Sequence, residues 1–402
     1  MRIQSASMLA LSLFIFVGCA TLQPSSTTRA TKAATLHVPV TFETPGGWSI
    51  SAQHITLNAD DGSTLPAQMS AAKQNLNTRF DYASALVPIN AANNPTYKLA
   101  RSTDPVVVSD KLHWQDDGET TLSLYEGDRF ILNYHYGVIS PPEGVATHRS
   151  RSSYFHPLTG LDGEIFTEDF PADHYHHRGF YFAWPGVHVG GQRYDMWHLV
   201  GMWTKFERIL VKEEGPVFTE LIIQNGWYNS QRKVMDEVMN LTVWHSDGVG
   251  QFMDVQYTWT PLVDIKIGPK DQKGYGGLNF RFPNRKNTVV TNIDGVQPTS
   301  DLKRSPWTDY SGVFDGQDAP SGVTIMNHPD NIDANPPWII RAADDYGFLG
   351  ISWPGIDTFH FVAGKTYTNQ YRLFMHRGDC EDAMVKEAFA QFAQPQKLNI
   401  HR

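Results

Sequence analysis

Apolar and polar residues alternate along several stretches of the chain, which is the period of a β-strand with one buried face. The alternation runs through Leu36–Phe42, Thr120–Gly137, Phe218–Tyr228 and Met239–Leu262. Inside the second stretch, the sequence Glu126-Gly127-Asp128 is typical of a hairpin turn. We therefore predict an all-β fold, mainly antiparallel, of the β-sandwich or jelly-roll type with long functional loops.

Helix signals are sparse, and the best of them lies near the C-terminus. The segment Asp379–Ala393 follows a helical period, the side chain of Asp379 suits a helix N-cap, and Pro395 ends the pattern. We predict one short C-terminal helix, whose apolar face carries Met384, Ala388, Phe389 and Phe392.

The first residues have the pattern of an export signal. Arg2 supplies a short positive region, and Met8–Val17 is a mostly apolar run that is too short to span a bilayer. The sequence Phe16-Val17-Gly18-Cys19 matches the lipobox of bacterial lipoproteins, in which the cysteine is lipid-modified. We predict Cys19 as the lipid attachment residue. The alternatives are an ordinary signal peptide cut nearby and a buried apolar start.

A lipidated N-terminus predicts an exported protein that touches a membrane only through its lipid anchor. Ala20 follows the cysteine, and by resemblance to Gram-negative sorting rules this favours the outer membrane, facing the periplasm or the cell surface. A weak seam at Ser140–Gly144 divides the remaining chain. The predicted organisation is a signal peptide (1–18), a flexible tether (19–37), an N-terminal β region (38–140) and a β domain carrying the site (141–402).

Composition narrows the classes of function. Cys19 and Cys380 are the only cysteines, so lipidation of Cys19 leaves no internal disulfide, and cysteine-rich zinc sites and iron–sulfur clusters are excluded. A formal net charge of −9 without a basic patch argues against nucleic acid as a partner. The 11 tryptophans and 16 tyrosines suit stacking against sugar rings, although most of them are expected in the core.

The densest group of reactive side chains is Asp173–Gly179, DHYHHRG. If this segment were extended, His174, His176 and Arg178 would share one face and His177 would point away. If it formed a turn, His174 and His177 would converge.

Three kinds of chemistry fit this segment. His174, His176 and His177 could bind a divalent metal such as Zn²⁺ with a neighbouring carboxylate, although their spacing matches no strong zinc motif. A histidine could instead act as a general acid or base while Arg178 binds a substrate carboxylate. In the third interpretation, the histidines form a structural cluster or contact a ligand without chemistry.

Further loops carry similar groups. The segment Asp271–Phe282 combines Tyr275 with glycines that let the backbone approach a ligand, and Ser305–Gly316 contains Asp309. The candidate catalytic residues are His174, His176, His177, Arg178, Asp173, Tyr275 and Asp309. The candidate substrate-binding residues are Arg151, His156, Trp184, Trp197, Arg281, Trp307, Tyr310, His328, Asn331, Trp338 and His376.

Five ordered blocks carry a resemblance to a known family: DHYHHRGFYFAW, KGYGGLNFRF, WTDYSGVFDG, GVTIMNHPDN with PPWIIR, and YRLFMHRGD. Over roughly Ser140–Asp379 the chain resembles the PmoA-like family of domains of unknown function, often labelled "methane oxygenase PmoA". The resemblance implies an exported bacterial protein associated with polysaccharide degradation, and hence carbohydrate. Methane oxidation is rejected, because the membrane subunit of that enzyme is a helical bundle and this chain has no further apolar span.

The leading hypothesis is an envelope-anchored enzyme that cleaves a glycan or glycoside, as a lyase or a hydrolase. On a uronic acid, Arg178 would neutralise the carboxylate while His176 or Tyr275 transfers a proton. A metal-assisted hydrolase is a variant, and a neutral glycoside would require a carboxylate pair drawn from Glu168, Asp169, Asp173 and Asp309. The alternative is a non-catalytic glycan-binding lipoprotein. In either case we expect the polar loops to converge on one cleft.

Overall fold

The computed structural model describes residues 35–44, 55–70, 82–89, 95–101, 108–269 and 273–401. The predicted signal peptide, Cys19 and most of the predicted tether lie outside these residues. No helix within the described ranges is long and apolar enough to cross a membrane.

The first half of the described chain is almost entirely strand. In order, its strands are β1 (His37–Glu43), β2 (Ile55–Ala59), β3 (Thr64–Met69), β4 (Tyr82–Pro88), β5 (Thr96–Arg101), β6 (Leu112–Asp116), β7 (Thr121–Glu126), β8 (Arg129–His135), β9 (Tyr154–Leu158), β10 (Phe180–Ala183), β11 (Gly186–Val189), β12 (Gln192–Tyr194), β13 (Met202–Glu214) and β14 (Phe218–Asn229). A 3₁₀ turn spans Thr147–Arg149.

The second half continues the same pattern and ends with the α-helix. Its elements are β15 (Lys233–Trp244), β16 (Gly250–Pro261), β17 (Ile265–Gly268), β18 (Gly277–Phe282), β19 (Arg285–Asn292), β20 (Gly295–Val296), β21 (Ser300–Arg304), β22 (Trp307–Phe314), β23 (Ser321–Asn327), β24 (Pro337–Ala343), β25 (Tyr346–Ile351), β26 (Phe359–Phe361), β27 (Tyr367–Arg377), α1 (Val385–Ala393) and β28 (Asn399–His401).

Two large sheets form the body. Their strand orders are β21-β24-β25-β18-β10-β9-β8-β7-β6 and β13-β14-β15-β16-β27-β23-β22-β19-β20. Buried apolar residues of both sheets belong to one continuous core, as Phe280 and Leu349 of the first sheet and Met239 and Leu373 of the second illustrate. Burial alternates along most of β15, as the sequence pattern requires of a strand with one face in this core.

Two smaller sheets flank the body. The sheet β1-β4-β3-β2-β5-β28 combines the N-terminal strands with the last strand of the chain, and β12-β11-β17-β26 is the other. A second core joins the six-stranded sheet and α1 to apolar residues of the second large sheet, including Phe218, Phe252 and Phe374. The predicted all-β sandwich is therefore confirmed.

The short C-terminal helix is also confirmed, but its predicted start is wrong. The helix begins at Val385, and the N-cap residue Met384 has a left-handed backbone with φ of 54°. The Asp379 carboxylate instead accepts hydrogen bonds from the backbone N–H groups of Glu381 and Asp382, so it stabilises a separate turn. On the helix, Val385, Ala388 and Phe392 are the buried side chains.

The seam predicted near residue 140 lies inside a hydrogen-bonded sheet. Strand β8 pairs with β9, and an isolated bridge joins Ile139 to Arg151. Strands β6 to β8 thus share their sheet with strands of the C-terminal body. The division into regions 38–140 and 141–402 stays a prediction.

Candidate functional site

The DHYHHRG segment forms consecutive tight turns that lead into β10. The backbone N–H of His174 donates to the carbonyl of Pro171, and that of His177 donates to the carbonyl of His174. The rings of His174 and His177 stack with centroids 4.8 Å apart. Of the two conformations considered for this segment, the turn is the one adopted.

These histidines line a pocket of about 270 Å³. We call it the histidine pocket and define it by the residues that line it: His174, His176, His177, Pro185, Trp197, His198, Lys273, Tyr275 and Tyr346. Its walls come from the turn before β10, the β10–β11 turn, the β12–β13 turn, the loop before β18 and the start of β25. Five of the residues predicted from sequence meet here, namely His174, His176, His177, Trp197 and Tyr275.

His198 is held by Asp195, three residues before it. The two oxygens of this carboxylate accept hydrogen bonds from His198, one from the backbone N–H at 2.8 Å and one from ring Nδ1 at 2.9 Å. An ionised carboxylate only accepts, so Nδ1 carries a proton and Nε2 of a neutral ring keeps its lone pair. The His198 ring lies 4.4 Å from that of His176, between centroids.

His176 and His177 are neutral imidazoles at physiological pH. Burial, reinforced by the neighbouring histidines and arginines, lowers the pKa of His176 to about 3. Burial and the adjacent histidines also hold the pKa of His177 well below 6.5. Ring Nδ1 of His177 is buried and has no hydrogen-bond partner among the described residues. This atom is therefore an unsatisfied polar group inside the wall of the pocket.

Tyr275 reaches the pocket from a loop that only glycines permit. Gly274 and Gly277 have φ of +70° and +83°, and a Cβ at Gly277 would lie 2.1 Å from the carbonyl oxygen of Ile351. The Tyr275 hydroxyl accepts a hydrogen bond from Nη2 of Arg341 at 2.6 Å. The Tyr275 ring also meets Trp197 edge-on, with centroids 5.5 Å apart.

A buried arginine supports the opposite wall. Arg281 lies over the ring of Tyr346, with 4.5 Å from Cζ to the ring centroid. Its Nε donates to Glu168 at 2.9 Å, and its Nη2 donates to Asp173 at 3.1 Å. Asp173 also pairs with Nδ1 of His174 at 3.0 Å. The predicted residues Asp173 and Arg281 thus hold the wall from behind and are not part of the pocket lining.

Arg178, expected to bind a substrate carboxylate, is instead a fully buried structural group. Its guanidinium donates to Asp169, to the hydroxyl of Tyr154 and to the backbone carbonyl of Arg149. It also lies over the ring of Phe170, 3.5 Å from the centroid. All three guanidinium nitrogens are engaged, so the structure places Arg178 beneath the histidine turn, where a ligand does not reach.

Asp309 and His376 lie away from the pocket, in the second large sheet. Both are buried, and the Asp309 carboxylate contacts His376 Nε2 at 2.8 Å and accepts hydrogen bonds from Ser311 and Thr324. Burial opposes the charge of Asp309, but His376 and the two hydroxyls hold its pKa below 3.8. This pair is therefore a buried, hydrogen-bonded network in the core of the described structure.

The remaining predicted residues are also dispersed. Arg151 supports the pocket from below, because its Nη2 donates to the carbonyl of Met196 at 2.7 Å, and His156 pairs with Thr167. His328 packs against Phe392 of α1. Core positions or buried hydrogen bonds account for Trp184, Trp307, Tyr310, Asn331 and Trp338. The expectation that all the polar loops share one cleft is therefore wrong.

No group of three or more His, Cys, Asp or Glu side chains in the described part of the chain is arranged to hold a metal ion. His174, His176 and His177 nevertheless lie with their ring centroids 4.6–5.5 Å apart. Zinc binding by these three residues stays a prediction.

The candidate residues selected from the sequence did not include Asp195, His198, Lys273 and Arg341, which lie in or beside the histidine pocket. For the first two a signal existed, since an aspartate three residues before a histidine can hold its ring within one turn. For Arg341 no local signal exists, because it lies 66 residues from Tyr275 and reaches it through sheet pairing.

The chain matches, over residues 121–390, the family described as "Family of unknown function (DUF6807)", and it belongs to that family. The resemblance to a family of unknown function is thereby confirmed. Nothing in the match connects the chain with PmoA. Among proteins with curated functions, none matches the chain.

Several solved structures are weakly similar to part of the chain. The heparan sulfate lyase HepC from Pedobacter heparinus has 9% identity and a TM-score of 0.32, over 64% of this chain and 34% of that chain. The α-galactosidase from Lactobacillus brevis has 9% identity and a TM-score of 0.35, over 90% and 42%. The galactose mutarotase related enzyme from Lactobacillus acidophilus has 10% identity and a TM-score of 0.28, over 66% and 97%. The chain spans about a third of the length of HepC, and these likenesses are too weak to transfer an activity.

Proposed function

We propose that the histidine pocket binds an acidic sugar within a polysaccharide and cleaves the adjoining bond by β-elimination. The observation that carries the proposal is the pairing of two groups in one pocket: a histidine with a free lone pair, His198, and a tyrosine hydroxyl, Tyr275. Elimination needs a base and an acid, and these two groups supply them.

The pocket lining favours elimination over hydrolysis. Glycoside hydrolysis generally uses two carboxylates on either side of the bond, and no carboxylate lines the described part of this pocket. The carboxylates predicted for that role are engaged elsewhere: Glu168 and Asp173 with Arg281, and Asp169 with Arg178. Asp309 is buried in the second sheet.

In the proposed reaction, His198 acts as the base and Tyr275 as the acid. Nε2 of His198 takes the proton α to the substrate carboxylate, and the C–H electron pair forms the C4–C5 double bond. The C4–O bond breaks with its electrons on oxygen, and that oxygen receives the proton of Tyr275. Lys273 supplies a positive charge at the same pocket for the substrate carboxylate.

The proposal also includes a location in the cell envelope. We propose that the chain is exported and held at the outer membrane by lipid on Cys19, where polysaccharide fragments reach it. The lipobox sequence and the apolar run before it support this location.

The direct test is turnover of uronic-acid polysaccharides by the protein from Thr21 onward, followed through the ultraviolet absorbance of the unsaturated product. We expect His198→Ala to abolish turnover, and His188→Ala, which changes an exposed histidine on β11, to leave it unchanged. Binding of polysaccharide without any unsaturated product would identify a glycan-binding protein instead. One equivalent of Zn²⁺ that is lost in a His176→Ala/His177→Ala variant would replace the acid–base assignment by a metal site.

A further inference from the structure

Arg341 and Asp301 form a rigid arm behind Tyr275. Nη2 of Arg341 donates to the Tyr275 hydroxyl at 2.6 Å and to Oδ1 of Asp301 at 2.7 Å. The other terminal nitrogen, Nη1, donates to the backbone carbonyls of Ser300 and Ile340. The guanidinium is thus fixed from two strands, β21 and β24, and cannot follow a moving phenol.

The donors and acceptors in this contact determine where the hydroxyl hydrogen of Tyr275 can point. A guanidinium has donors and no acceptor, so the phenol oxygen of Tyr275 must accept from Arg341. Its own O–H hydrogen cannot point back at Arg341. The structure gives that hydrogen no acceptor among the described residues, and the tyrosine lines the histidine pocket.

We propose that Arg341 and Asp301 are positioning residues that commit Tyr275 to the role of acid, donating its proton to the departing oxygen. This inference rests on the proposed elimination and deepens it, because it assigns the two ends of the reaction to different walls of the pocket. His198 takes the proton from carbon on one wall, and Tyr275 gives a proton to oxygen on the other.

The charge balance of the step explains why an arginine is suited to this position. When the C4–O bond breaks, its electron pair stays on the leaving oxygen, which takes the hydroxyl proton of Tyr275. The tyrosine is left as a phenolate and His198 as an imidazolium. The phenolate then faces a guanidinium at hydrogen-bond distance, and a charge-assisted hydrogen bond of this kind is roughly twice as strong as a neutral one. Transfer of the imidazolium proton to the phenolate through solvent restores both groups.

Asp301 holds the guanidinium of Arg341 in its orientation. It accepts a hydrogen bond from the same Nη2 that contacts the phenol. Burial opposes the charge of Arg341, but its contacts with Asp301 and Tyr275 raise its pKa above the usual arginine value. Loss of Asp301 would free the guanidinium to turn, whereas loss of Arg341 would remove the charge.

A pair of substrates with different leaving groups tests the inference. The probes are the 4-O-methyl and 4-O-(2,4-dinitrophenyl) ethers of a methyl glucuronoside. The first needs a proton on its leaving oxygen, and the second releases a stable phenolate without one. We expect Arg341→Gln and Tyr275→Phe to lower kcat on the methyl ether by about 10²- to 10⁴-fold and on the dinitrophenyl ether by less than about tenfold.

Matched variants separate this role from a structural one. Arg304→Gln removes an arginine of β21, the strand paired with β24, that forms an ion pair with Asp333 at the surface, and it should change kcat on neither substrate. Asp301→Asn should also lower kcat mainly on the methyl ether, by a smaller factor than Arg341→Gln. An equal loss on both ethers in Arg341→Gln would overturn the inference, because a distorted pocket slows both substrates alike.

A second measurement works without turnover. Tetranitromethane nitrates the phenolate form of tyrosine, and peptide mass spectrometry reports each site. We expect Arg341→Gln to slow nitration of Tyr275 several-fold relative to exposed Tyr175, and Arg304→Gln to leave the ratio unchanged. An unchanged ratio in Arg341→Gln would contradict the arm. If the wild-type protein showed no turnover while nitration was slowed in Arg341→Gln, the proposed elimination would be contradicted. The influence of Arg341 on the Tyr275 hydroxyl would still hold.

Discussion

The carboxylate of Asp195 holds both the backbone and the ring of His198, at 2.8 and 2.9 Å. The two bonds fix the position of the residue and the tautomer of its ring together. An imidazole in this state presents one unprotonated nitrogen to the pocket, which is what proton abstraction from carbon requires.

This relationship predicts the effect of Asp195→Asn. The amide can present its NH₂ group to Nδ1, which moves the ring proton to Nε2 and removes the lone pair from the pocket. We expect kcat on a uronic-acid polysaccharide to fall by about 10²- to 10⁴-fold with KM changed little. Steady-state kinetics measures both constants. A variant that kept wild-type kcat would exclude His198 as the base.

Lys273 should govern affinity for the acid group of the substrate. A hydrogen bond to a charged group contributes about 1.5–3 kcal/mol, so Lys273→Met should raise KM by about 10- to 100-fold. The loss should shrink in high salt, because screening weakens the wild-type contact as well. Lys266→Met, at an exposed position of β17, is the control. Equal KM values for Lys273→Met and wild type would place the carboxylate elsewhere in the pocket.

Buried His177 should make the fold sensitive to acid. Its pKa in the folded protein lies well below 6.5 because burial disfavours the charged ring. The unfolded chain therefore takes up this proton first, and folding stability falls as the pH drops below about 6.5.

The variant that checks this is His177→Phe, which keeps an aromatic ring against Phe348, 5.1 Å away between centroids. Its stability in urea should decline less between pH 7 and pH 5 than that of the wild type. The opposite result, a steeper decline in the variant, would mean that the folded protein protonates His177 readily.

Arg178 should be required for folding. Substitution by glutamine would leave the Asp169 carboxylate without its cation in a buried setting, which costs about 3–5 kcal/mol. We expect a large fall in the denaturation midpoint for Arg178→Gln and almost none for Arg304→Gln, whose side chain is half exposed. A stable Arg178→Gln protein with raised KM would restore the substrate-binding role predicted from the sequence.

Cys19→Ala tests the anchor. The wild-type protein produced in a Gram-negative host should incorporate labelled palmitate and sediment with the outer membrane. The variant should do neither, because the acyl chains are attached through this cysteine. Labelling that persists in the variant would contradict the lipobox assignment.

The sequence allowed the fold class to be predicted because a period of two depends only on which face of a strand is buried. The start of α1 was missed because the turn at Asp379 uses the same side chain that would cap a helix. The same local sequence is compatible with a helix N-cap at Asp379 and with a separate turn there, and tertiary packing decides between the two.

The site was most directly predictable where its groups are adjacent in the chain. His174, His176 and His177 reach one pocket through local turns, so their density in the sequence was informative. Asp309 and His376 have the same chemistry but lie on β22 and β27 of another sheet, on either side of β23, and no local pattern distinguishes a core hydrogen bond from a catalytic one. Arg178 was misjudged for a similar reason, since its partner Asp169 is brought opposite by an isolated bridge.

The glycine-rich loop that carries Tyr275 also limits how this protein can diversify. A side chain at Gly277 would collide with the backbone of β25, and one at Gly274 would lie 2.8 Å from Leu302. Natural or laboratory evolution of the substrate range must therefore proceed through the walls on the other side, at positions such as Tyr346 and Pro185. Libraries that randomise the loop would return mainly misfolded protein, whereas libraries on those walls would sample new sugars on an intact scaffold.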